Sequence, residues 1–208
     1  VYVSKRIGKF NQEFSFYKFR SMTVNADSSG VDSTSANDPR ITSIGRFIRK
    51  YKIDELSQLF NVFIGDMSLV GPRPNVERDT VLYTAKEKKL LSVKPGITDF
   101  SSIVFSDEGD ILEGYDDPDL TYNQLIRPWK SRLGLIYIEN QTFILDLKLI
   151  YLTLVSLISR EVSLQKMCHI LEVLNTPNNV VMAASRKEPF FPYPPPGSEK
   201  IVESRDVS

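Results

Sequence analysis

The hydrophobic pattern changes period several times along the chain. Residues 14–19, Phe-Ser-Phe-Tyr-Lys-Phe, are dense in aromatics and read as a strand. With Val1–Val3 and the turn-prone Gly8-Lys9-Phe10-Asn11, they predict a β-hairpin at the start of the chain. Alternation places Phe14, Phe16, Lys18 and Arg20 on one side of the second strand, with Tyr17 and Phe19 on the other. Residues 25–40 are small and polar, which predicts a long surface loop. Thr42 or Ser43 can cap a helix running from Ile44 to Tyr51. Its apolar stripe is Ile44, Phe47, Ile48 and Tyr51, and Arg46, Arg49 and Lys50 occupy the rest. A second helix from Asp54 to Phe63 is expected to bury Ile53, Leu56, Leu59, Phe60 and Phe63, and to stop at Gly65-Asp66.

Met67–Val70 is a short apolar stretch leading into the stiff turn Gly71-Pro72-Arg73-Pro74. Residues 77–93 read as a charged helix, broken by Lys94-Pro95-Gly96. Residues 97–120 mix strand-like pieces with the acidic loop Ser106–Asp110. Tyr122 to Asn140 is helical again, and the most apolar segment, Phe143 to Ile158, is interrupted only by Asp146 and Lys148. Beyond Asn175 the prolines Pro189, Pro192, Pro194, Pro195 and Pro196 precede a charged end. The expected architecture is a compact α+β domain over residues 1–175, mostly helical with a small N-terminal β-hairpin. Residues 176–208 are expected to form a flexible, Pro-rich tail with little core of its own.

Composition narrows the chemistry. Of 208 residues, 41% are apolar and 25% charged, ordinary globular usage that excludes a disordered or collagen-like chain. Lys plus Arg (26) equals Asp plus Glu (26), so the charge balance asks for no nucleic-acid partner. A single cysteine, Cys168, and a single histidine, His169, exclude an internal disulfide framework and a Cys/His zinc site. Adjacent helix positions point about 100° apart, so Cys168 and His169 read as two ordinary helix residues rather than a dyad. Carboxylates, lysines, arginines, hydroxyls or a hard metal remain. No apolar run is long enough to span a bilayer as a helix, and no signal peptide is recognisable.

Three places could carry that chemistry. Asp54-Glu55 puts adjacent carboxylates at a helix start, where the dipole favours anions. This suits a nucleophile or a Mg²⁺ ligand, and equally a plain N-cap followed by a favoured first-turn glutamate. Arg49, Lys50 and Lys52 lie close by in sequence. Arg73, between Pro72 and Pro74, is either preorganised for a bidentate grip on phosphate or simply solvated on a polyproline turn. Lys18 and Arg20 on the aromatic strand could meet a phosphate or snorkel from the sheet edge. The basic amphipathic helix 44–51 and the apolar segment 143–158 fit a membrane surface or a core with a solvated face.

In order along the chain stand Tyr17-Lys18-Phe19-Arg20-Ser21-Met22, Asp38-Pro39-Arg40-Ile41-Thr42, Ile44-Gly45-Arg46-Phe47, Asp54-Glu55-Leu56 and Gln58-Leu59-Phe60-Asn61-Val62. Then follow Gly65-Asp66-Met67-Ser68-Leu69-Val70-Gly71-Pro72-Arg73-Pro74 and Lys94-Pro95-Gly96-Ile97-Thr98. This string, resumed by Phe143-Ile144-Leu145-Asp146-Leu147-Lys148, closely resembles the bacterial sugar transferase family, the monotopic phosphoglycosyl transferases.

The resemblance implies transfer of a sugar 1-phosphate from a UDP-sugar to a polyprenyl phosphate such as undecaprenyl phosphate. UMP is released at the cytoplasmic face of the bacterial inner membrane, as the initiating step of capsule, exopolysaccharide, O-antigen or glycoprotein glycan synthesis. The family's aspartate-glutamate dyad falls on Asp54 and Glu55, implying that Asp54 attacks the β-phosphorus and becomes a phosphosugar-aspartate. Asp54 and Glu55 are the implied Mg²⁺ ligands, with orientation of Asp54 the alternative role for Glu55, and Arg73, Lys18, Arg49, Pro72 and Pro74 are the implied substrate-binding positions. Two departures stand out. The family's hydrophobic re-entrant helix, expected just before the opening strand, is absent, so the chain reads as truncated and monotopic with its anchor missing. Many members continue Gly-Leu-Trp-Gln-Val after Thr98, where this chain has Asp99-Phe100-Ser101-Ser102-Ile103. The competing expectation is a non-catalytic, membrane-peripheral interaction protein that kept the fold.

Overall fold

In a computed structural model describing residues 1–26, 31 and 33–204, the expected hairpin is present. Strand β1 (Tyr2–Ile7) pairs antiparallel with β2 (Glu13–Lys18), Tyr2 opposite Lys18 and Ile7 opposite Glu13. A 3-10 turn at Lys9–Asn11 joins them. In the polar loop that follows, one guanidinium gathers the chain. Arg40 is ion-paired to Asp38 at 2.6 Å and donates to the carbonyls of Ala26, Val31 and Ser33. The part of the predicted loop at residues 27–30 and 32 lies outside the described residues.

Helix α1 (Ser43–Lys50) starts where expected, its Gly45 N–H donating to the Thr42 hydroxyl at 2.9 Å. A Cβ on Gly45 would stand 1.8 Å from the Ser21 carbonyl oxygen, so glycine is what lets α1 dock against the backbone leaving the hairpin. A 3-10 turn (Ile53–Glu55) then leads to α2 (Gln58–Ile64), which ends at left-handed Gly65 (φ 91°).

The orientation of α2 is the reverse of the expected one. Gln58 and Asn61 are buried, whereas Leu56, Leu59, Phe60 and Phe63 are exposed, Phe63 at 87%. The reason lies in the strand beside it. Asn61 accepts the Tyr17 N–H at 3.1 Å and donates to the Ser15 carbonyl at 2.7 Å, satisfying an edge of β2 that would otherwise be buried without partners. A polar face is needed inward, so the apolar face turns out. The predicted stripe of α1 is also largely outward, with Ile44 70% and Phe47 58% exposed.

β3 (Ser68–Val70) pairs in parallel with β4 (Gly96–Thr98). A Cβ on Gly96 would lie 2.1 Å from the Gly71 nitrogen, so these backbones touch. The helix expected over 77–93 is instead α3 (Glu77–Thr80) and a 3-10 helix at Glu87–Ser92. Between them Thr84 and Glu87 form a capping box, the Thr84 hydroxyl accepting from Glu87 N and the Glu87 carboxylate from Thr84 N. The stretch 97–120 is more helical than expected: α4 (Phe100–Val104), α5 (Glu108–Ile111) and α6 (Pro118–Thr121), with Asp99 capping α4 and Asp117 capping α6.

A π-helical turn (Tyr122–Ile126) opens α7 (Arg127–Glu139), followed by α8 (Phe143–Ser156), α9 (Arg160–Val173) and α10 (Asn178–Ser185). The main core lies among α4, α7, α8 and α9, where Phe100, Ile103, Leu133, Tyr137, Leu149, Met167 and Leu171 are fully buried. Residues after 176 depart from the expected tail. Val180 and Ala184 of α10 join the core, Phe190 stacks on Phe105, and Tyr193 stacks on Trp129 at 4.5 Å. The carbonyls of Pro196 and Val202 accept from Thr84 and Gln124. Proline fixes the backbone of such a segment, and the aromatics between the prolines supply its anchors. Residues 205–208 of that predicted tail lie outside the described residues. Among the described residues no helix is long and apolar enough to cross a membrane.

Candidate active site

The 3-10 turn after α1 presents Asp54 and Glu55, and neither caps a helix through its side chain. The N-cap reading of Asp54 therefore falls. Its carboxylate Oδ2 faces the Lys18 ammonium at 2.9 Å, and Asp54 is almost wholly buried. Backbone bonds lock this arrangement: Phe19 N–H donates to the Asp54 carbonyl at 3.1 Å, and the Ser57 hydroxyl lies 3.2 Å from the carbonyls of both Tyr17 and Asp54. Lys18 ends β2, so the hairpin and the turn are joined by main chain and side chain at one point.

Glu55 has a different partner. Its Oε1 accepts from Arg73 Nη2 at 2.7 Å, while Arg73 Nη1 reaches the Ile97 carbonyl at 3.4 Å. Pro72 and Pro74 are buried beside it, and the Pro72 carbonyl accepts from Gly96 N–H at 3.0 Å. The prolines hold the backbone, and Arg73 is thereby delivered to Glu55 rather than to open solvent.

Burial and charge set the electrostatics. Burial lowers the Lys18 pKa, opposed by Asp54 and helped by Arg73. For Glu55, burial works to raise the pKa, but Arg73, Lys52 and Lys18 together outweigh it and hold the carboxyl below its ordinary value. Burial likewise works to lower Arg73, yet Glu55 prevails and its pKa is raised. Arg49, on the last turn of α1, is pulled down by burial against the attraction of Asp54 and Asp38, and its Nη1 has no hydrogen-bond partner. Arg20 is exposed and stands apart from this cluster.

Among the described residues only one oxygen of each carboxylate, Oδ2 of Asp54 and Oε1 of Glu55, is drawn into an ion pair. The remaining oxygens of these two consecutive carboxylates are hard donors, which suit a Mg²⁺ held jointly with substrate phosphates rather than in an all-protein cage. Among the described residues no group of three or more His, Cys, Asp or Glu side chains gathers as such a cage. Cys168 and His169 lie on α9. Burial pushes the Cys168 thiol up, and His169 is exposed beside Glu172.

Sequence reasoning did not single out Ser57 and Asn61, which tie the carboxylate turn to β2. Their signal was the polar series Asp54, Ser57 or Gln58, and Asn61, one helical face at spacings of three and four. The apolar positions on the opposite face drew the assignment instead.

A profile of the bacterial sugar transferase family matches residues 1–160. A galactosyl transferase of Streptococcus agalactiae is 37% identical over 165 residues, spanning 74% of this chain and 33% of the relative. An undecaprenyl-phosphate glucose phosphotransferase of Komagataeibacter xylinus is 40% identical over 161 residues, spanning 74% and 28%. A protein of Aeromonas hydrophila named as a UDP-N-acetylgalactosamine-undecaprenyl-phosphate N-acetylgalactosaminephosphotransferase is 34% identical over 161 residues, spanning 74% and 34%. The chain thus spans about a third of the length of these curated relatives. With the profile covering both carboxylates and all the cations that surround them, the chain belongs to the bacterial sugar transferase family.

Proposed function

We propose that this chain transfers a sugar 1-phosphate from a UDP-sugar to a polyprenyl phosphate, releasing UMP, through a phosphosugar held covalently on Asp54. The observation that carries the reading is a pair of adjacent carboxylates, each facing its own cation, Lys18 at 2.9 Å and Arg73 at 2.7 Å. The names of several relatives, which specify undecaprenyl phosphate and a hexose or N-acetylhexosamine, support the substrate classes.

A carboxylate oxygen of Asp54 attacks the β-phosphorus. The bond from that phosphorus to the bridging oxygen breaks, and its electron pair leaves with UMP. A phosphate oxygen of the polyprenyl phosphate then attacks the same phosphorus, and the bond to Asp54 breaks, restoring the carboxylate. Negative charge gathers on the transferred phosphoryl group in both steps, and fixed cations beside it lower the barrier. Lys18 is placed to turn from Asp54 to a phosphoryl oxygen as the carboxylate is consumed. Arg73 is held in position by Glu55, so little side-chain freedom is lost when it meets phosphate. Asp54 and Glu55 would hold Mg²⁺ through their second oxygens, and the ion would offset part of the phosphate charge.

On this reading the chain works on a lipid-linked acceptor at the cytoplasmic face of the bacterial inner membrane. The outward apolar faces of α1, α2 and α8 support this, with Ile44, Phe47, Phe63, Phe143 and Ile144 all well exposed and Arg46 and Lys50 among them on α1. Sedimentation with anionic liposomes at low salt, and release at high salt, is the expected behaviour; no binding at low salt refutes it.

The chemistry is tested by intact mass after mixing the chain with Mg²⁺ and a panel of UDP-sugars, beside Asp54→Asn. A phosphosugar adduct on the wild type alone is expected. An adduct on both proteins removes Asp54 from the role. Absence of any adduct, with a membrane helix fused upstream as well as without, favours the non-catalytic interaction protein.

A further inference from the structure

Lys52 lies two residues before Asp54, and among the described residues it forms no ion pair. Its backbone is left-handed (φ 52°, ψ 25°), a conformation that glycine and asparagine adopt with far less strain than lysine. Among the described residues its ammonium makes one hydrogen bond, to the Ser102 carbonyl on α4 at 3.3 Å, which leaves two donors uncommitted. Strained backbone that persists beside a reactive centre is a recognised mark of function.

The charge balance around it explains what those donors are for. Lys18 and Asp54 form one ion pair, Arg73 and Glu55 another, and each pair is neutral. A diphosphate entering between them brings further negative charge that neither pair offsets. Lys52, whose field is set by Glu55, Arg73, Asp99 and Lys130, and Arg49, whose Nη1 is buried without a partner, are the neighbouring cations with no ion pair of their own among the described residues.

We infer, on the reading of Asp54 as the nucleophile, that Lys52 is a phosphate ligand. Its ammonium takes a non-bridging oxygen of the phosphate next to the reacting phosphorus, contributed either by the nucleotide being displaced or by the incoming polyprenyl phosphate. Lys52→Asn removes the charge while suiting the left-handed backbone, and Lys52→Arg restores the charge. The Asn variant should melt no lower than the wild type. It should slow one half-reaction by about ten- to a hundredfold, the usual worth of a charge-assisted hydrogen bond, and the Arg variant should recover most of that rate. Slower adduct formation from the UDP-sugar, with weaker inhibition by UMP, assigns the nucleotide phosphate. Slower discharge of a preformed adduct to a polyprenyl phosphate in detergent assigns the acceptor. Unchanged rates in both half-reactions overturn the assignment.

Should the wild type form no adduct, the nucleophile reading fails separately, and direct titration with UDP and with inorganic pyrophosphate decides for Lys52. Affinity at least about tenfold weaker in Lys52→Asn than in wild type supports it. Equal affinity, or no binding by the wild type, overturns it.

Discussion

Two arginine–glutamate pairs in this molecule have the same contact distance and different meanings. Arg127 and Glu87 meet at 2.7 Å, as do Arg73 and Glu55. Around the first pair the bonding capacity is nearly exhausted. Glu87 also accepts from Arg127 Nε, the Ser131 hydroxyl and Thr84 N–H, and Arg127 also donates to Asn123 and to the Leu82 carbonyl. Around the second, Glu55 has Arg73 alone within hydrogen-bond distance among the described residues, and Arg73 adds one long bond to Ile97. A buried pair with all its groups satisfied fixes a structure. A half-satisfied cluster in which Lys52 and Arg49 also keep spare donors retains capacity for a ligand.

The contrast is most directly broken by removing each glutamate. Glu87→Ala leaves Arg127 charged and buried with its partner gone, and should cost about 3–5 kcal/mol of stability. That corresponds to a fall in melting temperature of about 10 °C, read by thermal denaturation. Glu55→Ala should cost only about 1 kcal/mol, because Arg73 remains partly open to water, yet adduct formation should be lost. Comparable stability losses for the two would mean that both pairs are structural.

Arg73→Lys keeps the charge and discards the planar fork. Adduct formation should fall by about ten- to a hundredfold with little change in melting temperature, since a lysine grips phosphate as a point charge. An Arg73→Lys protein that reacts at the wild-type rate would reduce Arg73 to a counter-charge for Glu55.

The smallest effect is on pH dependence. Glu55 sits below its ordinary value of 4.5 in the folded protein, so its contribution to stability is fully present above that value and is lost as pH falls through the lower folded one. The difference in melting temperature between wild type and Glu55→Gln should therefore narrow progressively below pH 4.5, the ordinary glutamate value. A difference that stays constant across the acid range would show that Glu55 titrates alike in both states.

Local pattern was enough for some features and misleading for others. The hairpin, the Thr42-capped helix and the breaks at Gly65 and Lys94-Pro95-Gly96 follow from alternation, capping and backbone restriction, which act within a few residues. The division at Thr84 was equally local, a capping box lying inside a run whose charges suggested one continuous helix. The face of α2 was not legible, because an amphipathic pattern says only that two faces differ. Residues after 176 read as a tail because proline disfavours regular structure, while the anchoring pair of Trp129 and Tyr193 is separated by 64 positions of sequence and is visible only in space.

Within the site the division is the same. Order and spacing of residues determined the family and put Asp54, Glu55, Lys18, Arg49 and Arg73 forward as its chemistry. Only the tertiary structure decided that Asp54 answers to Lys18 and Glu55 to Arg73, that Arg20 is exposed, and that Lys52 holds a strained backbone and a half-buried charge with donors to spare. The physical reason is that residue type fixes what a group can do, whereas its partners, its burial and hence its free capacity depend on which distant segments the fold brings against it.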